Sequence, residues 1–188
     1  MNLWYSCFIV KDTFKIFYKS IKLNNRLKMK KKLKTKIILL FTHISALFFG
    51  FALGIYLLPI LIAPDSSDIM DIDQLQSDAA YKTKFIRDLA GSDLLHWGEA
   101  DVTISDKHIV IKGKIAPGPD YKVYLTQQFV ENEKEFLAIK DSAAYIADVN
   151  IFENFIVHIP SDIQINKYNT IVIWCESFSE FITAAQYV

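Results

Sequence analysis

Residues Thr170–Phe178 read TIVIWCESF. In an extended chain successive side chains point to opposite faces, so Ile171, Ile173 and Cys175 share one face and Val172 and Trp174 the other. Apolar residues on both faces predict a central strand covered on both sides. Cover gives way to a polar turn at Glu176 and Ser177, which places Cys175 at the strand end.

Outward from this strand, Lys82–Val188 carries short segments rich in Ile, Val, Tyr and Phe, separated by turn residues. These predict strands at Lys84–Asp88, Glu99–Ser105, His108–Lys112, Tyr121–Thr126, Ala144–Ala147, Phe155–Ile159, Thr170–Cys175 and Phe181–Ala184. Ser105-Asp106-Lys107 suits a tight hairpin connection. Ala116-Pro117-Gly118-Pro119-Asp120 cannot continue a strand and predicts a rigid turn. Asn132–Ile139 is the one segment suited to a short helix. The pattern is that of an all-β fold, an antiparallel β-sandwich over 82–188, large enough to bury a core without staples.

Upstream, Pro64–Tyr81 is acidic, contains Ser and sustains no apolar period. It reads as a linker with a short helix near Ile72–Ala80. Before it, Ile37–Ala63 (IILLFTHISALFFGFALGIYLLPILIA) holds no Asp, Glu, Lys or Arg. A helix of that length reaches about 40 Å, against about 30 Å for a bilayer's hydrocarbon core. It predicts a single transmembrane helix and is too long for a signal-peptide core.

Charge is divided across this run. Residues 1–36 hold eleven Lys/Arg and one acid, Asp12, whereas residues 64–188 hold ten Lys/Arg and twenty acids. The positive-inside rule puts 1–36 in the cytoplasm as a basic segment and the C-terminal domain outside, in the periplasm or its equivalent. Met29 opens MKKKLKTK, a compact basic lead into the span, and is read as the true start. The alternative for residues 1–28 is a basic amphipathic arm on the inner leaflet. Ala46, Gly50 and Gly54 recur every four residues, the spacing by which membrane helices dimerise, beside the ordinary abundance of small residues in spans. His43 and Ser45 are polar positions within the run and suit local hydrogen bonding.

The candidate chemistry is sparse. Cys7 and Cys175 fall on opposite sides of the membrane, so no intrachain disulfide is expected. Cys175 has two open readings: a small buried hydrophobe, or a thiol at a strand end that reacts or ligates. No Lys, Arg or His lies within five residues of it, so no local charge activates a thiolate. His96 suits either a ligand or a hydrogen-bonded structural role. His108 and His158 have no ligand-like spacing, and no metal site is expected. Asp120 suits the turn, and Tyr121, Tyr124 and Trp174 suit the core. No phosphate-cradling loop, nucleophile elbow or C-x-x-C-H haem attachment is present. The acidic external domain disfavours nucleic acid.

GSDLLHWGEADVTI (Gly91–Ile104), GPDYKVYL (Gly118–Leu125), FENFIVHIP (Phe152–Pro160) and YNTIVIWCESFSEFITAA (Tyr168–Ala185) together resemble the electron-transfer DM-thirteen domain family in its membrane-anchored bacterial form. The resemblance implies a β-sandwich related to DOMON domains. It also implies a redox role for the cysteine of the W-C step, here Cys175, as a bare thiol or as ligand to a non-covalent prosthetic group such as haem, with His96 a second candidate ligand. The expectation is a membrane-anchored electron-transfer module with a redox partner protein, closer to a carrier or binding module than to a turnover enzyme. The alternative is a non-catalytic envelope sandwich that binds a protein or small ligand, its cysteine purely structural.

Overall fold

The computed structural model describes residues 3–67, 72, 74, 75 and 79–188. By internal contacts the chain divides into two units, Met1–Ala52 and Leu53–Val188. Helix α1 (Leu3–Ile62) opens the chain. Its Lys22–Ile62 portion is long enough, and over its C-terminal part apolar enough, to cross a membrane. Phe41, Leu47, Phe48, Phe49 and Leu61 are all exposed along it. A helix apolar on every side is at home only in an apolar surround. Two polar side chains inside the run bond within the helix: Thr42 Oγ1 donates to the Leu39 carbonyl at 2.9 Å and His43 Nδ1 bonds the same oxygen at 2.7 Å. A Cβ added at Gly50 or Gly54 would meet nothing within 4 Å, so this small-residue face is uncovered.

Beyond α1, the short helix expected near Ile72–Ala80 falls largely outside the described residues, which are helical at Ile72, Gln74 and Leu75. Eight strands follow: β1 (Tyr81–Phe85), β2 (Gly98–Ile104), β3 (His108–Ile115), β4 (Tyr121–Thr126), β5 (Ala144–Val149), β6 (Glu153–His158), β7 (Thr170–Cys175) and β8 (Glu180–Gln186). Helix α2 (Glu133–Ile139) lies between β4 and β5. All pairings are antiparallel, in two four-stranded sheets of order β1-β2-β3-β6 and β5-β4-β7-β8. The fold is the expected antiparallel sandwich.

The first strand differs from expectation: it covers Tyr81–Phe85 and not Lys84–Asp88. Pairing with β2 runs from Tyr81↔Ile104 to Phe85↔Ala100, and Thr83 Oγ1 ties β1 to β8 at the Gln186 carbonyl, 2.6 Å away. Arg87 has already left the ladder and lies over the Trp97 ring at 3.9 Å. Tertiary pairing thus outweighs the local propensity of Ile86.

Two apolar clusters result. The inter-sheet core gathers Ile109, Ile111, Val102, Phe155 and Val157 from one sheet against Tyr121, Val123, Ile171, Ile173, Cys175 and Ile182 from the other. The second lies on the far face of the β5-β4-β7-β8 sheet, where α2 covers Tyr124, Val172, Trp174, Phe181 and Ala184. β7 is buried at every position because it is central in its sheet and covered on both faces. The N-cap of α2 is Asn132, whose Oδ1 accepts from Glu135 N–H at 3.0 Å, while Glu135 reaches back to the Glu131 amide at 2.8 Å. That closure satisfies helix-end donors and sets Phe136 over Trp174, with ring centroids 4.9 Å apart.

Candidate functional site

Cys175 ends β7 on its core-facing side. It pairs across the ladder with Tyr121 of β4, and the Glu176 amide donates to the Asp120 carbonyl at 2.9 Å. Two turns therefore meet over the sulfur: the rigid turn before β4 and the Glu176–Ser179 turn after β7. Ser177 Oγ donates to Asp120 Oδ2 at 2.6 Å and clamps one to the other. Gly118 is required in the first turn, since a Cβ there would stand 2.4 Å from the Tyr121 ring. Tyr121 in turn packs edge-on against Phe152.

This closure decides the thiol's chemistry. Cys175 is 3% exposed. Burial pushes its pKa up; backbone hydrogen bonds from Phe178, Asp120 and Ser177 pull the other way, and the Asp120 charge adds to the rise. The thiol is therefore held protonated at neutral pH, and no cation offsets that. Burial likewise raises the Tyr121 phenol, with Cys175 a further cause.

On the opposite face of β7, Glu176 collects a polar rim. Lys140 Nζ lies 2.6 Å from Glu176 Oε2, and Tyr124 OH donates to Oε1. Burial alone would raise the Glu176 carboxyl, but the Lys140 and Tyr124 hydrogen bonds outweigh it and hold it below its ordinary range. Lys140 also stands 5.4 Å from the Trp174 ring. Lys140 carries no signal in the sequence, because it lies 36 positions from Glu176 and no local period joins them.

His96 sits in the loop before β2. Its Nδ1 meets Asp93 Oδ2 at 3.0 Å, and Asp93 Oδ1 accepts from the Leu95 and His96 amides at 2.7 and 2.8 Å. These bonds make His96 part of a self-contained turn. Its side-chain hydrogen bond is to Asp93, whereas the groups that hydrogen-bond Cys175 belong to Asp120, Ser177 and Phe178. Haem on Cys175 does not fit this arrangement: an axial thiolate needs an open face for the macrocycle, and here the sulfur is sealed by two clamped turns. Among the described residues no group of three or more His, Cys, Asp or Glu is placed to hold a metal.

His108 and His158 are brought together instead. They are cross-strand partners on β3 and β6, with ring centroids 4.8 Å apart. Separated by fifty positions, they carried no joint signal in the sequence.

Two four-stranded antiparallel sheets, with a single cysteine closing the central strand of one of them, define a β-sandwich domain. Residues 89–187 match the family model described as electron transfer DM13, and the chain belongs to that family. No curated protein and no solved structure matches the chain.

Proposed function

We propose that the chain is a membrane-anchored electron-transfer module whose sandwich works outside the cytoplasm, and that Cys175 is its redox centre as a bare thiol. Membership of the electron-transfer family supports the role. The observation that carries the residue is the position of Cys175 at the end of β7, under two turns held by a few hydrogen bonds. Opening the Glu176–Ser179 turn exposes the sulfur without unzipping the sheet. Once deprotonated, Cys175 attacks a partner protein's disulfide; the new S–S bond forms as the partner's second sulfur leaves as a thiolate and takes up a proton. This first exchange leaves a mixed disulfide; Cys175 of a second copy of the chain then attacks the first Cys175 sulfur, the partner's remaining sulfur leaves as a thiolate, and the two Cys175 thiols together give up two electrons as they join in a disulfide. Self-association through Ala46, Gly50 and Gly54 would set two such thiols on one membrane face.

A second reading is favoured by the same burial: an envelope sandwich in which Cys175 is core packing. The full chain, purified in detergent without reductant, separates them. Alkylation of Cys175 is expected to be slow at pH 7 and to rise with pH beyond the range of a free thiol, about 8.5. The sign follows from the raised pKa, which keeps the thiolate fraction below that of an exposed cysteine until higher pH. Acid-quenched membranes should also hold a reducible oxidised fraction of Cys175. A thiol that stays wholly reduced, and labels only when the protein unfolds, establishes the structural reading.

The orientation has its own check. A periplasm-active reporter fused after Val188 is expected to be active, and one that works only in the cytoplasm ends the proposal. The charge division across residues 37–63 supports the expected result.

A further inference from the structure

We infer that His108 and His158 form a chelating site for a divalent first-row transition metal, Cu(II) above the others, on the face of the β1-β2-β3-β6 sheet that points away from the core. The two imidazoles come from adjacent antiparallel strands and stand directly opposite each other. Their centroids lie 4.8 Å apart at an interplanar angle of 64°. Metal–nitrogen bonds of about 2.0–2.1 Å from two rings to one ion suit such a separation with small side-chain rotations. Imidazole is a ligand common to Cu, Ni and Zn, and Cu(II) heads the affinity order of the divalent ions.

The backbone beneath the pair is fixed. Ser105 Oγ accepts from the His108 amide and donates to the His108 carbonyl, both at 3.1 Å, closing the hairpin before β3. At the far side the Ile159 amide donates to the Lys107 carbonyl at 2.8 Å, holding the end of β6 against the same hairpin. Neither strand can slide without breaking these bonds, so the entropy of bringing two ligands together is already met by the fold. The rest of the coordination sphere is water, since no third His, Cys, Asp or Glu joins the pair among the described residues.

The surroundings of His108 disfavour its proton. His108 is held below the ordinary imidazole range, first by burial, then by the charges of His158 and Lys107. The neutral ring that a metal requires is thereby favoured at His108. Lys107 opposes any cation there, but its ammonium is solvent-exposed and screened. The site is independent of Cys175 and of the redox proposal.

The test is a titration of the full chain in detergent with Cu(II) at pH 7.5, followed by electron paramagnetic resonance and by competition with a chelator of known affinity. The expected result is one Cu(II) per chain with nitrogen hyperfine structure from two imidazoles. His108→Gln and His158→Gln should each weaken binding about tenfold or more, because the chelate is lost. His96→Gln should leave it unchanged. Thermal melting of each variant in the absence of copper confirms that the sheet persists. Equal binding by the His108→Gln/His158→Gln double variant, or no stoichiometric binding by the parent chain, overturns the site.

Discussion

Replacing Trp174 with Ala is expected to remove about 3–5 kcal/mol of stability, the range for deleting a buried aromatic side chain. Trp174 is completely buried. On its face of β7 it supports Phe136, and Phe136 also rests on Tyr124 with ring centroids 5.4 Å apart. Removing the indole leaves a cavity that neighbouring strands cannot close, because β7 is pinned between β4 and β8. Its Nε1 has no hydrogen-bond partner in the structure, so the loss is of packing, with no bond to subtract. Helix α2 has only seven residues and cannot hold itself in water. Chemical denaturation should show the loss, and amide exchange should show α2 opening before the sheets. A denaturation midpoint within error of the parent would mean that α2 is anchored elsewhere. Trp174→Phe should recover most of the stability, since a ring would again meet Phe136.

Gly113→Ala is expected to cost about 2–4 kcal/mol, combining a left-handed backbone position with overpacking. Gly113 has φ of 146° and sits where β3 slips register against β6, between Ile111 and Lys114. A Cβ there would stand 2.4 Å from the Glu99 carbonyl oxygen and 2.5 Å from the Ala100 Cα. Both are backbone atoms of the paired strand β2, so no rotamer change relieves the clash. The amide of Gly113 donates to Asn154 Oδ1 at 2.9 Å, replacing the ladder bond that the bulge removes. Asn154 itself holds φ of 47°, a region that Asn tolerates better than most residues. Asn154→Ala should therefore destabilise the same bulge by a smaller amount, and the two effects should be less than additive because they act on one bond. A Gly113→Ala chain with unchanged melting would show that the bulge is not needed for pairing.

Much of the sandwich is legible in local pattern. Tyr121–Thr126 and Thr170–Cys175 appear where alternation and β-branched content place them, and α2 begins where Asn132 stands three residues before a Glu. The Ser105–Lys107 hairpin needed only its turn residues and the flanking apolar runs. Strand ends were less readable. β1 begins earlier than its local composition implies because Tyr81 and Lys82 find partners on β2. The site was less readable still. The position of Cys175 at a strand end was plain, but its exposure depended on a turn fifty-five positions earlier folding over it through Asp120.

The amino-acid sequence alone determined a long uncharged apolar helix, the opposite charges on either side of it, a run of short strands, and the two apolar faces of Thr170–Cys175. All of these come from composition and from periodicities of a few residues, which the backbone geometry of helix and strand converts directly into faces. Only the tertiary structure decided which strands pair, and with that the sealing of Cys175, the Lys140–Glu176–Tyr124 rim and the meeting of His108 with His158. Strand partners distant in the chain are chosen by the packing of whole sheets, and no local period carries that choice.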